Sequence, residues 1–301
     1  MSQEQAIDTT TTAGEFDLQV PGGRLHARRF GPKDGPLVIG IPGLSANLKT
    51  FDYFAERALG EGIQLVALDL RGRGKSDITP AGTYGWDSHA RDVVAVADQL
   101  GATKFSVIGS SMGGAVGMEI AGLFPGRLER LVLIDICGGP DPRSLSLIQA
   151  AVDRLGTVYP SLEAYIGLVR GIGTVEPWNE YWERYFEYDL VEVDGGVRAR
   201  SDRDAVMEDS DFGVRAFAET DGKVHVYELW KSLDMPVLLV RGTRELMPGF
   251  GHIVPEAERD AFLKAVPTAE LAEVDANHYG ANMGDESSAA IGRFLEPLRR
   301  G

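Results

Sequence analysis

The sequence predicts an α/β fold, in which a mostly parallel central sheet is flanked by helices and carries a helical cap insertion. Three observations predict it. Apolar strand-like runs alternate with segments of helical periodicity in both the first and the last part of the chain, an order typical of parallel sheets covered on two faces. Between these parts, residues 138–230 break the alternation with aromatic-rich helical segments. At residues 109–113 an apolar run stops at glycines and resumes with helical spacing, so a strand turns abruptly into a helix.

Composition limits the classes of function. The 301 residues are 44% hydrophobic and 25% charged, enough to bury a large core. The net charge of −15 argues against nucleic acid and anionic membrane surfaces, because both would repel the chain. Cys137 is the single cysteine, residues 1–12 lack the apolar core of a secretory signal, and no apolar run is long enough for membrane insertion. We therefore expect a cytoplasmic protein. The sequence is compatible with a homo-oligomer.

The first part of the chain contains most of the predicted sheet. Residues 1–14 are expected to form a flexible tail, and Pro21-Gly22-Gly23 is a turn between two strands of an antiparallel edge hairpin. A breaker-rich loop at residues 42–47 follows a buried strand. The predicted strands here are 16–20, 24–30, 37–41, 64–68, 104–108 and 131–134, and the predicted helices are 51–59, 86–100 and the segment after Ser111.

The alternation resumes after the insertion. Strands are predicted at 237–240 and 271–274, with helices at 256–266 and at the end of the chain, near residue 298. The core is therefore assigned to residues 15–137 and 231–301, and the cap to 138–230. An insertion after the carboxyl end of a strand lies on the ligand side of an open sheet, so the cap should cover Ser111. We expect most cap aromatics to serve packing, and we nominate three of them for substrate contact: Trp178, Trp182 and Tyr185.

Ser111 is the candidate nucleophile. The run Gly109-Ser110-Ser111-Met112-Gly113 fits G-x-S-x-G, in which glycines make room for a tight turn that exposes the central serine. The helix that follows directs free backbone N–H groups at the same point. A serine hydroxyl needs a base, usually a histidine that a carboxylate orients.

His278 is the candidate base, because it directly follows the predicted strand 271–274 and so lies on the edge of the sheet where Ser111 is expected. The other four histidines are more simply surface or packing residues. Two carboxylates, Glu245 and Asp135, follow strand ends between Ser111 and His278 in the chain. The sequence favours Glu245 as the acid and leaves Asp135 as the alternative. The competing role of Glu245 is an ion pair with Arg241 or Arg244, and that of Asp135 is a cap on the backbone around Gly138.

Backbone N–H groups of Leu44, in the loop after strand 37–41, and of Met112, after the nucleophile, are the expected oxyanion donors. No metal and no organic cofactor is expected. The histidines are scattered, and Arg71-Gly72-Arg73-Gly74 does not have the context of a dinucleotide-binding loop.

With these residues assembled, the chain resembles the α/β-hydrolase superfamily over nearly all of its length, in the order strand, oxyanion loop, elbow, cap, acid and histidine. Residues 69–76 resemble the D-x-R-G-x-G-x-S loop of that superfamily. The chain departs from the superfamily at Pro42-Gly43, where His-Gly is frequent, and at Asn277, where Gly is common. Glu245 stands where an Asp is usual, with Pro248 three residues later instead of four, which keeps Asp135 as an alternative.

The resemblance implies acyl transfer, because a serine at the elbow does not suit dehalogenase or epoxide hydrolase chemistry, which needs a carboxylate there. The expected substrate is a small to medium apolar carboxylic ester or lactone. One alternative is a C–C bond hydrolase of ring-cleavage products that uses the same residues. Another is a non-catalytic binding or receptor protein, because fold alone does not define function.

Overall fold

The computed structural model describes residues 14–300. Its centre is an eight-stranded sheet. The strands of this sheet are β1 Gly14–Val20, β2 Gly23–Phe30, β3 Leu37–Ile41, β4 Gln64–Leu68, β5 Phe105–Ser110, β6 Leu128–Ile134, β11 Val237–Gly242 and β12 Ala269–Val274. They lie in the order β1-β2-β4-β3-β5-β6-β11-β12. The pairs from β4 to β12 are parallel, whereas β1 with β2 and β2 with β4 are antiparallel. The predicted edge hairpin and mostly parallel sheet are confirmed.

The sheet is covered on both faces, as its continuous apolar strands require. Every residue of β3, β4 and β5 is buried. Successive side chains enter opposite layers: Ile39 and Val107 belong to one core cluster, and Val38 and Ile108 to the other, because side chains alternate along a strand. The carboxyl ends of β5, β6 and β12 therefore lie along one edge of a rigid sheet.

Eleven α-helices are present in residues 14–300: α1 Asp52–Arg57, α2 Trp86–Gln99, α3 Met112–Leu123, α4 Leu145–Asp153, α5 Leu162–Ile172, α6 Glu180–Asp189, α7 Arg203–Phe217, α8 His225–Trp230, α9 Glu256–Ala265, α10 His278–Asn282 and α11 Asp285–Leu295. The helix predicted at 51–59 is shorter and is preceded by a 3₁₀ turn, Leu48–Phe51. The Asn47 side chain caps this turn by accepting from the Lys49 N–H at 3.0 Å.

The inserted segment is not wholly helical. It also contains two short antiparallel hairpins, β7 Leu190–Val193 with β8 Gly196–Ala199, and β9 Glu219–Thr220 with β10 Lys223–Val224. The turn at residues 194–196 joins β7 to β8, with Gly195 at φ 90° and Gly196 at φ 144°, which favours glycine. Val226 and Trp230 of α8 belong to the same core cluster as Val107 of the sheet.

Within residues 14–300, no helix is both long and apolar enough to cross a membrane. The same part of the chain contains no group of three or more His, Cys, Asp or Glu side chains placed to hold a metal ion. The predicted tail, apart from Gly14 at the start of β1, lies outside the described residues.

Candidate active site

Ser111 stands at the turn from β5 into α3, as the G-x-S-x-G pattern predicts. Its backbone has φ 50° and ψ −122°, a strained conformation for a residue with a side chain. The turn is tight, because a Cβ on Gly109 would collide with the backbone of Gly113 and Gly114, and one on Gly113 would collide with the carbonyl of Ile41. The glycines are therefore required by close backbone contacts.

The carboxylate that contacts His278 is that of Asp135. His278 Nδ1 and Asp135 Oδ2 are 2.9 Å apart, while Asp135 Oδ1 accepts from the Gly242 N–H at 3.0 Å. Asp135 follows β6 with φ 50° and is 2% exposed. Fixing Nδ1 in this way leaves Nε2 of His278 for a second partner.

The prediction that Glu245 orients His278 is wrong, because the carboxylate in contact with His278 is Asp135. The Glu245 carboxylate accepts from the Gly249 N–H at 2.7 Å, within its own loop. Arg244, the expected partner of Glu245, pairs instead with Asp275 at 2.8 and 2.9 Å. The reason is the course of the chain after β11. The Arg244 N–H donates to the Ala276 carbonyl, so the chain continues beside the end of β12, and Glu245 lies in a local turn.

His278 is held at the start of α10 by Asn277. The Asn277 side chain accepts from the N–H groups of Tyr279 and Gly280, each at 3.1 Å, so it is an N-cap. Its amide also donates to the Thr174 carbonyl of the inserted segment at 2.8 Å. Asparagine in the position where the superfamily commonly has glycine therefore both caps the helix and ties the segment to the histidine.

The loop after β3 lies against Ser111. A Cβ on Gly43 would be 3.4 Å from the Ser111 Cβ. Among the hydrogen bonds of residues 14–300, none uses the N–H of Leu44 or of Met112, the two predicted oxyanion donors. Both residues line the cavity that contains Ser111.

Arg73 braces this loop, a contact that sequence reasoning missed. Its guanidinium donates to the Leu44 carbonyl at 3.0 and 2.8 Å and to the Arg71 carbonyl at 3.0 Å. Arg73 stands at the variable position between the two glycines of the D-x-R-G-x-G-x-S pattern, so the pattern neither specifies it nor gives a partner for it.

Asp209 of α7 holds Arg73 in turn, at 2.7 Å, and His89 at 2.8 Å, with all three side chains fully buried. Burial alone would raise the pKa of the Asp209 carboxyl, but the His89 and Arg73 charges hold it well below its usual range. A charged cluster thus links the inserted segment to the oxyanion loop, and no local sequence signal marks Asp209.

Ser111 and His278 share one cavity of about 1020 Å³, whose walls are largely apolar. Trp182 and Tyr185 line it, as nominated for substrate contact. Trp178 is not among the lining residues, which corrects its nomination: its ring stacks on Phe186 at 5.8 Å between centroids and 11° between planes. Its indole N–H donates to Glu183, so it serves to pack the segment.

Residues 36–281 match the family described as alpha/beta hydrolase fold, and the chain therefore belongs to that family. Solved structures agree over the whole fold. E-2-(acetamidomethylene)succinate hydrolase superposes with a TM-score of 0.80 at 21% identity, covering 94% of this chain and 100% of that one. An α/β hydrolase from Novosphingobium aromaticivorans superposes with a TM-score of 0.77 at 26% identity, covering 95% and 99%.

Curated relatives are similar over shorter segments. A serine hydrolase-like protein of Danio rerio is 36% identical over 135 residues, which is 43% of this chain and 41% of that protein. N-formylmaleamate deformylase of Pseudomonas putida is 38% identical over 119 residues, 40% of this chain and 44% of that protein. The chain thus spans less than half the length of these two relatives.

Proposed function

We propose that this protein is a serine hydrolase that cleaves a small to medium carboxylic ester or lactone through an acyl-enzyme. One observation carries the proposal: the strained Ser111 faces the same cavity as a histidine whose other ring nitrogen is bound by a buried carboxylate. That combination suits activation of a weak nucleophile, since a buried carboxylate orients a base that lines the same cavity. The names of the relatives, a serine hydrolase-like protein and a deformylase, favour the same class of reaction.

In this mechanism His278 Nε2 removes the Ser111 proton as Oγ forms a bond to the substrate carbonyl carbon. The carbonyl oxygen becomes an anion, which the Leu44 and Met112 N–H groups stabilise. Collapse of the intermediate breaks the bond to the leaving alkoxide, which takes the proton from His278. Water then attacks the acyl-enzyme with His278 as base and releases the acid and free Ser111.

Asp135 keeps the proton on Nδ1 and stabilises the imidazolium that forms in each half of the reaction. Its second oxygen is held by the Gly242 N–H, so the carboxylate does not rotate away. Each of three rigid elements therefore presents one group: Ser111 follows β5, Asp135 follows β6, and His278 begins α10.

Covalent labelling tests the proposal directly. The purified protein, treated with a fluorophosphonate, should gain one adduct by intact mass, on the peptide that contains Ser111, and Ser111→Ala should gain none. The labelled protein should also lose turnover of 4-nitrophenyl butyrate. An unlabelled wild-type protein that is folded by circular dichroism would contradict the proposal and favour a non-catalytic binding protein.

A further inference from the structure

Two residues that line the cavity each have a hydrogen-bond donor without an acceptor. Arg154 follows the last residue of α4, and its Nε is buried without a hydrogen-bond partner. Trp182 on α6 is 4% exposed, and its indole N–H is likewise buried without a partner. Both residues line the cavity that contains Ser111 and His278. Burying such donors unpaired is unfavourable, so each marks a place where an acceptor is expected.

Arg154 differs from the other charged side chains that line the cavity. Asp141 pairs with Arg143 at 2.7 Å, Asp209 pairs with Arg73 at 2.7 Å, and Glu258 accepts from the Tyr227 hydroxyl at 2.9 Å. No hydrogen bond or ion pair within residues 14–300 includes the Arg154 guanidinium. It is therefore a cation in a largely apolar cavity that lacks a protein partner.

Both residues share the cavity with the candidate base. Trp182 packs against Tyr279, which directly follows His278, with ring centroids 5.9 Å apart. Arg154 lines the same cavity as His278 and Tyr279. Burial raises the pKa of the Tyr279 hydroxyl, and the positive charge of Arg154 opposes that rise. A molecule bound in this cavity therefore meets both residues.

We propose that Arg154, together with the Trp182 indole N–H, binds a carboxylate of the substrate. The substrate is then an acyl compound that carries a carboxylate separate from the carbonyl that Ser111 attacks. A guanidinium presents two parallel donors that match the two oxygens of a carboxylate, and the apolar surroundings strengthen the pairing. This inference rests on the proposed serine hydrolase function, and it replaces the expectation of a wholly apolar substrate.

The name of one relative fits this chemistry. N-formylmaleamate, in the name of the Pseudomonas putida protein, denotes an acyl compound with a separate carboxylate. A competing role for Arg154 lies within the protein: its charge also acts on Asp189, whose carboxyl is buried on α6 with Oδ1 unpartnered. The experiment has to separate substrate binding from compensation of Asp189.

The first test compares two esters of matched length, the mono-4-nitrophenyl ester of adipic acid and 4-nitrophenyl hexanoate. Wild-type protein should favour the adipate ester in kcat/KM. Arg154→Met keeps most of the side-chain volume and should lower kcat/KM for that ester roughly 10- to 100-fold while changing the hexanoate ester less than about 3-fold. Trp182→Phe should produce a smaller loss of the same kind. Arg203→Met, which removes a charge outside the cavity, is the matched control and should change neither.

Equal losses on both esters, or an Arg154→Met protein that keeps the wild-type preference, would overturn the inference. If Arg154 only offsets Asp189, Arg154→Met should lower the Tm, Asp189→Asn should restore it, and discrimination between the esters should not change. Calorimetric titration with adipate separates the inference from the proposed function, because it needs no turnover. If adipate binds the wild-type protein but not Arg154→Met, the carboxylate site is supported, even if Ser111 is not labelled. Equal binding of adipate to both proteins contradicts the carboxylate site.

Discussion

Backbone strain in this protein concentrates at the candidate site. Three non-glycine residues in the described part of the chain have positive φ, and two of them are Ser111 and Asp135, both at 50°. Such conformations cost about 1–3 kcal/mol each and persist only where surrounding contacts impose them. Here the N–H of Ser111 bonds the Ile134 carbonyl at 2.9 Å and that of Asp135 bonds the Val240 carbonyl at 2.7 Å. The sheet therefore holds both side chains in place before any substrate arrives.

Separate replacement of each candidate acid by its amide gives the sharpest test at the residue scale. Asp135→Asn should lower kcat by roughly 10³- to 10⁴-fold, because an amide at that position favours the wrong His278 tautomer. Glu245→Gln should change kcat less than about 3-fold, since Glu245 accepts from the Gly249 N–H in its own loop and pairs with Arg143, and neither contact includes His278. Ester turnover and thermal unfolding should be measured for both variants. Loss of turnover in Glu245→Gln alone would return Glu245 to the role of the acid.

Glycine substitutions test the geometry of the elbow. Gly113→Ala should lower the free energy of unfolding by more than about 2 kcal/mol and abolish fluorophosphonate labelling, because the new Cβ collides with the Ile41 carbonyl. Gly171→Ala on α5 is the control: nothing lies within 4 Å of its Cβ, and alanine should stabilise the helix by up to about 1 kcal/mol. Urea unfolding gives both values. A labelled and stable Gly113→Ala protein would argue against a tight turn.

At the scale of elements, the loop that contains Leu44 depends on a helix of the inserted segment. Arg73 binds the Leu44 carbonyl, and Asp209 of α7 binds Arg73. The Arg73 and Asp209 side chains are buried, so removing the carboxylate leaves an uncompensated cation, which typically costs about 3–5 kcal/mol. This loop and α7 therefore form a unit, and a change in one should alter the other.

Asp209→Asn tests this link. The variant should lower kcat roughly 10-fold with little change in KM, because a displaced Leu44 N–H affects the anion more than the bound ester. It should also unfold at a lower temperature. Asp211→Asn, an exposed carboxylate on the same helix, should change neither. A destabilised Asp209→Asn protein with unchanged kcat would show that the cluster serves stability alone.

At the scale of the whole molecule, the inserted segment and the sheet share one interior. Ala216 of α7 and Val226 of α8 belong to the core cluster that contains Val107 of β5. Other aromatic rings of the segment form a separate cluster with Tyr53 of α1 and Met283. The segment therefore contributes to the stability of the core as well as covering the cavity.

Asp189 should make global stability depend on pH. Burial, partly offset by the Asn47 side chain, raises the pKa of this carboxyl to about 7 from 3.8. The folded state thus binds a proton that the unfolded state releases, so the contribution of Asp189 to stability falls as the pH rises from about 4 to about 7. Asp189→Asn should match wild type at pH 4 and exceed its unfolding free energy at pH 8 by a few kcal/mol. Urea unfolding across this range measures the difference, and a pH-independent difference would contradict the pKa.

The sequence by itself determined the order of strands and helices, the elbow and the candidate base, because these depend on local patterns: period-2 and period-3.6 hydrophobicity, and glycines around one serine. It placed both acids at strand ends but favoured Glu245 over Asp135, and that preference did not match the geometry. Only the tertiary structure decided that Asp135 reaches His278, that Asp209 binds Arg73 and that Trp178 is not among the residues that line the cavity. The first two contacts join residues more than 100 positions apart, and their meeting is set by strand order and packing, which no local pattern records.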